Sequence, residues 1–486
     1  MQHKTTLNKI FYLFLIVFVL FDWGYSFFQY SLIPLDGDMA ESVLPVDVLK
    51  PLMDDPLGIS TIYNGQEYHH KPNRFFAHYS CYSFFRTVPL VLQKITDPIS
   101  SVYYSCAIAK LLMQILLTYL ICACISGSTK IFTRTFILIA AIITPFFQTN
   151  GFNNYFGIIS RSITYSFFYA LPLIFLLIYF LPILIKTFHG KDINLWLPVK
   201  LLWIPLAVVV SLSGALNPGI SLIISMLIML HLFIRYYPKN KPITFFNKIA
   251  IVLKRIPGNY WYYLIPICIF SLYSLYLGTY NSGEFWEEMS LGERYLRLPK
   301  GLFYILTTKI WFFYLLILFV INIILINKNK TGYDKKILKI CKWTGIFIII
   351  YILLLPLGGY RSYRPYIIRH DTFVPVSVCF VFLIGLTTYY LFKIKKVKTW
   401  YYIPVVVVLA AFSIADKPYP DTDNSCEKES LQKIASSDEK IVVLDNSCDV
   451  LSWGPIVKPE DSYANAQLLV VWNIIPEIKL YVNYYE

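Results

Sequence analysis

The stretch IFYLFLIVFVLFDWGYSFFQY, residues 10–30, decides the fold class. Its only charged residue is Asp22, and as a helix it is long enough to cross a ~30 Å hydrocarbon core. It follows a short basic start, MQHKTTLNK. A cleaved signal would carry a shorter apolar region and a small-x-small cleavage site. Neither is present, so the stretch is expected to be a retained first helix.

The pattern recurs along the chain. Apolar segments fall at about 10–30, 102–126, 131–148, 163–185, 201–214, 218–235, 260–278, 303–326, 344–357, 373–392 and 400–415. The chain is 57% hydrophobic and 15% charged, with mean hydropathy +0.56, against about 25% charged for a soluble protein. An all-α polytopic membrane protein with about 11 transmembrane helices is the expected fold. Residues 1–415 would form the transmembrane domain, and the tail 416–486 a small α/β domain on the outer face. In that tail ESLQKIASS (429–437) is helical in pattern and KIVVLD (440–445) reads as a strand. Cys426 and Cys448 both lie there, and an oxidising compartment would permit a disulfide between them.

The net charge of +14 records topology. Lysine and arginine cluster at every second inter-helix loop, and only Asp192 and Asp334 are acidic in those loops. This is the positive-inside pattern; it implies no nucleic-acid partner and places the N-terminus inside and the C-terminus outside. The outer segments are then 31–101, 149–162, about 214–218, 279–302, 358–372 and the tail, and they hold 26 of the 29 acidic residues. In the long first outer loop, FFAHYSCYSFFRTVPLVLQKI (75–95) has helical spacing. It reads either as a helix lying in the membrane interface or as one packed on the bundle.

Two outer clusters could carry chemistry. LDGDMAESV (35–43) sets Asp36, Asp38 and Glu41 just past the first helix; the plain alternative is a polar exit loop. GGYRSYRPYIIRHDTFVP (358–375) sets Arg361, Arg364, Arg369 and His370 before the tenth helix. Arginines in an outer loop run against the positive-inside bias, and a guanidinium pairs bidentately with phosphate; anchoring and salt bridges are the alternative there. Arg161 is the single charge of its outer loop. His69, His70 and His78 match no strong metal-ligand spacing. Residues 284–300 carry mixed charge and read as a solvated face. The sequence contains no Walker loop, dinucleotide-binding glycine pattern or persuasive Ser-His-Asp set.

The basic-flanked first helix, acidic first outer loop, many spans and outer tail together resemble the GT-C superfamily of integral-membrane glycosyltransferases. Asp36 and Asp38 match its acidic pair, with Ala40-Glu41 following, although Gly37 splits the acids. RHDTFVP (369–375) is similar to an R-Y-x-x-P element, with His370 in place of tyrosine.

The resemblance implies an inverting glycosyltransferase of the bacterial inner membrane, with a periplasmic C-terminus. It would move a sugar from a polyprenyl-phosphate donor to a glycan, lipid or protein acceptor. Asp36 or Asp38 would be the catalytic base; Glu41, Arg161, Arg361, Arg364, Arg369 and His370 would bind substrate. The one cofactor left open is a divalent metal ion, with no ligands named. A cell-surface polysaccharide polymerase or ligase is the alternative reading, followed by a lipid-linked transporter or flippase. Midplane charge and interrupted helices, the marks of an ion-coupled transporter, are scarce.

Overall fold

The computed structural model describes residues 2–44, 49–64, 71–149, 157–193, 195–238, 244–281, 286–308, 310–329, 331–394, 398–418, 423–445 and 448–483. Among them, seven helices are long and apolar enough to cross a membrane: Lys9–Ser31, Pro98–Ser126, Ile163–His189, Asn217–Tyr236, Gly258–Tyr280, Gly332–Gly358 and His370–Lys393. An eighth forms if the pair Leu291–Thr307 and Phe312–Lys328, bent by 88°, counts as one span. The protein is therefore a polytopic helical membrane protein. The three remaining apolar segments are shorter helices, Arg134–Phe146, Leu197–Ser211 and Thr399–Ala415.

Local chemistry sets the helix ends. Asp97 caps the helix Pro98–Ser126 by accepting from the Ser100 amide, and Pro98 stands at its first position, where a missing N–H costs nothing. Gly127 closes that helix at φ +64°, and an added Cβ would lie 2.5 Å from the His189 ring. Thr331 and Asp334 form a reciprocal capping box before Gly332–Leu354. His370–Lys393 is the central helix, 89% of its apolar window being buried, whereas only 11% of the first helix is.

Loops gather at two opposite ends of the bundle. At one end, Asn424 N–H donates to the Leu32 carbonyl at 2.8 Å and Phe76 N–H to Leu212 at 3.2 Å. There too Lys71 N–H donates to Asn281 Oδ1 at 2.9 Å, and the Tyr360 hydroxyl donates to the Arg294 carbonyl at 2.8 Å. At the other end, His189 meets the Cys124 carbonyl at 2.8 Å and the Tyr390 hydroxyl donates to Asp334 at 2.8 Å. The first end carries the acidic segments and the second the basic ones.

Strands are few. Trp286–Glu287 pairs antiparallel with Tyr360–Arg361, and Ile441–Leu444 pairs parallel with Leu480–Asn483. The second sheet, with helices Ser425–Ser436 and Tyr463–Val471, makes up the tail. Cys426 and Cys448 are disulfide-bonded there, with Cα atoms 6.1 Å apart. The tail's apolar core, including Leu431, Val442 and Trp472, is continuous with that of the bundle. The helix Phe75–Leu92 is packed between the two: it buries Ala77, His78, Cys81 and Phe85, and its Phe85 carbonyl accepts from the Trp472 indole at 3.0 Å.

Candidate functional site

Asp36 and Asp38 occupy different environments. Asp36 is buried and accepts four hydrogen bonds: from Ser162 Oγ at 2.8 Å, Thr164 N–H at 3.0 Å, Thr164 Oγ1 at 2.8 Å and Asp38 N–H at 3.1 Å. Ser162 is the N-cap of the third long helix, so Asp36 binds a helix N-terminus, where the dipole favours an anion. Its acceptor positions are occupied by the fold itself. Lys110, buried on the neighbouring helix, supplies a compensating charge and donates to the Arg161 carbonyl.

Asp38 is half-buried. Its Oδ1 accepts the indole N–H of Trp453, from the tail, at 2.8 Å. Burial raises its pKa above the usual carboxylate value; Asp36 and Glu41 add to the rise, while the Trp453 bond and Lys71 oppose it. A carboxylate poised in this direction, with acceptor capacity to spare, is suited to take a proton. Glu41 is paired with Lys71 at 3.4 Å. Gly37 explains why the acids are split: an added Cβ would lie 2.6 Å from Trp453 Cδ1 and 2.7 Å from its backbone nitrogen.

A polar track leads from Asp38 to the arginines. The Trp453 ring lies 5.9 Å from the Tyr165 ring, and the Tyr165 hydroxyl accepts from Arg364 at 3.0 Å. Arg364 bonds Asp371 Oδ2 at 3.3 Å, and Arg369 Nε bonds Asp371 Oδ1 at 2.5 Å. Arg361, at the strand end, donates to the Tyr363 hydroxyl at 2.6 Å. Tyr165 precedes, and Tyr169 lies within, the π-helical turn Ser166–Ala170, a local widening frequent at functional sites.

Arg74 joins this group although its sequence context gave no sign of it. Lying deep in the fold with part of its surface accessible, it feels Arg361, Arg369 and Asp371 electrostatically. Burial lowers its pKa from the ordinary value, and the two arginines add to that fall. Among the described residues its guanidinium has no hydrogen-bond or ion-pair partner. Arg364 and Arg369 thus bind one carboxylate, Asp371, while Arg74 and Arg361 lie close enough to feel each other and Tyr169. The surplus positive charge suits a phosphate.

The other expected residues lie around this cluster. His370 contacts the Gly157 carbonyl through Nε2, and Arg161 contributes its carbonyl to Lys110. His78 is buried against Phe168, with ring centroids 4.4 Å apart; His69 and His70 lie outside the described residues. Among the described residues no group of three or more His, Cys, Asp or Glu is placed to hold a metal ion. With Asp36 saturated and Glu41 ion-paired, the acidic cluster is a poor donor set for one.

Beneath the arginines, a narrow crevice is lined by Tyr169, Asp371, Leu173, Ile220 and Pro375. The last three also line an apolar cavity of about 380 Å³ that runs between the long helices. No protein-family model matches the chain, and no curated protein matches it significantly.

Proposed function

We propose that this protein is an outward-facing membrane glycosyltransferase of the GT-C kind, using a polyprenyl-phosphate-linked sugar. The observation that carries the reading is the track Asp38–Trp453–Tyr165–Arg364, which joins a carboxylate of raised pKa to a cluster of guanidinium groups. Asp38 takes the proton of an acceptor hydroxyl as its oxygen attacks the anomeric carbon. The carbon–oxygen bond to phosphate breaks, the phosphate leaves with the electron pair, and Arg74, Arg361, Arg364 and Arg369 stabilise its charge. One displacement at that carbon inverts its configuration. The donor's tail stays in the surrounding lipid while its head sits among the polar loops. Asp36 positions the loop by holding the N-terminus of the third long helix.

In this reading the eleven apolar segments are eleven crossings, with the bent pair counted as one and the short helices included. Support comes from the alternation of the loops between the two ends of the bundle. The basic end is cytoplasmic, and the acidic end and tail are periplasmic in a bacterial inner membrane.

Lipid extracts of cells lacking the protein test the proposal. A polyprenyl-phosphate sugar should accumulate and be cleared by the wild-type chain but not by Asp38→Asn. No accumulated lipid-linked sugar would refute the reading, and accumulation of a complete lipid-linked repeat unit would move it to a polysaccharide polymerase or ligase.

A further inference from the structure

The apolar cavity has a mouth at the end of the bundle opposite the arginine cluster, where exposed Arg235 and Lys339 line it. There Arg235, Lys336 and Lys339 line it together with His231 and Trp343, and no acidic residue does. Lys336 and Lys339 share one helix face at i, i+3, and His231 and Arg235 share the facing one at i, i+4. The Trp343 edge meets the His231 ring at 5.6 Å. Among the described residues, none of the three cations has an ion-pair partner, although Asp192 and Asp334 lie at the same end: Asp192 is bound to Lys186 and Asp334 to Tyr390 and Thr331.

We propose that this mouth binds an anionic phospholipid of the leaflet at the basic end, with its phosphate on the three cations and one acyl chain in the cavity. Two features select that ligand. The rim is uncompensated positive charge, which a zwitterionic headgroup matches less well. Below the rim the lining is almost wholly apolar, from Lys336 to Phe347 along one helix. That is a depth of about 16 Å, close to one leaflet of a ~30 Å core. A free phosphate has no use for such a depth. The site is independent of the sugar chemistry proposed above.

Native mass spectrometry of the purified full-length chain, with added dioleoylphosphatidylglycerol or dioleoylphosphatidylcholine, tests the site. Wild type should retain the anionic lipid with a preference on the order of tenfold. The triple variant Arg235→Gln, Lys336→Gln, Lys339→Gln should lose that preference. Leu177→Trp, which fills the cavity but leaves the charges, should reduce retention of both lipids, and Arg369→Gln at the far cluster should change neither. Should the triple variant fail to fold by its melting curve, Lys339→Gln alone, an exposed site, should still lower the preference. Equal retention of both lipids by wild type, an unchanged preference in a folded variant, or displacement of the lipid by millimolar inorganic phosphate would overturn the proposal.

Discussion

Trp453 donates its indole N–H to Asp38 Oδ1 at 2.8 Å across 415 positions of sequence. The tail thereby reaches the loop after the first helix and lowers the cost of ionising a half-buried carboxylate. Trp453→Phe keeps a ring but removes the donor. The Asp38 pKa should rise further, so the acidic limb of the pH–rate profile should move to higher pH. A bond to a charged group contributes about 1.5 kcal/mol, so turnover at neutral pH should fall by up to roughly tenfold. Gly37→Ala should act in the same direction by pushing Trp453 away. An unchanged limb in both variants would remove the tail from the site.

The two aspartates should separate in one paired experiment. Asp38→Asn should cut turnover on the order of 10²–10⁴-fold and leave the melting temperature nearly unchanged. Asp36→Asn should lower stability by about 1–3 kcal/mol, because its amide would meet donors already placed for a carboxylate. A stable, inactive Asp36→Asn beside an active Asp38→Asn would reverse the assignment of base and positioning residue.

The arginines should separate likewise. Arg369 is bound to Asp371, so Arg369→Ala leaves a buried carboxylate with one partner fewer and should cost stability as well as activity. Arg74 has no such partner among the described residues, and Arg74→Ala should leave the melting temperature level or slightly higher. Its effect should appear as weaker donor use, by about 1.5–3 kcal/mol, with partial rescue by lysine. The check is a donor titration beside a melting curve for each variant.

Much of the fold was legible because hydrocarbon imposes a length and a composition. Seven of the eleven apolar segments fall in helices long enough to cross a membrane, three fall in shorter helices, and one, 303–326, falls across a helix pair bent by 88°. Arg134–Ile143 passes into a tight turn at Thr144–Pro145, and a composition window cannot see where such a helix stops. The acidic and arginine loops stood out by charge. Arg74 did not, because it is one basic residue in a turn-rich loop whose charged neighbours come from residues 361–371. Tyr165, Tyr169 and Trp453 were hidden in a chain that is 17% aromatic. Asp36 and Asp38 look equivalent in sequence; only their folded partners, the helix N-terminus at Ser162 for the first and Trp453 for the second, distinguish them.

The alternation of loops between the two ends gives a topological test. Reporter fusions after residues 130, 240, 335 and 396 should all report the cytoplasm, and one after residue 418 the opposite side. A single outward result in the first set would break the eleven-crossing arrangement.

Glu427 fastens the tail to the bundle. It accepts from Leu35 N–H at 2.8 Å, the Tyr103 hydroxyl at 2.7 Å and Leu451 N–H at 3.1 Å. Burial nevertheless pushes its carboxyl from the ordinary 4.5 up to about 7, with Asp36 adding to the rise. An acid whose pKa is higher in the folded chain than in the unfolded one holds its proton more tightly when folded. Its contribution to stability is therefore full below about pH 4.5, falls as pH rises to about 7, and is level above. The change is on the order of 3 kcal/mol. Melting curves of the full chain between pH 5 and 8 should show stability falling toward neutrality, and Glu427→Gln should reduce that slope whatever its offset. Exposed carboxylates cannot imitate the effect, because they change charge in both states together. A slope undiminished in Glu427→Gln would place the titrating group elsewhere and leave the tail anchored by hydrogen bonds alone.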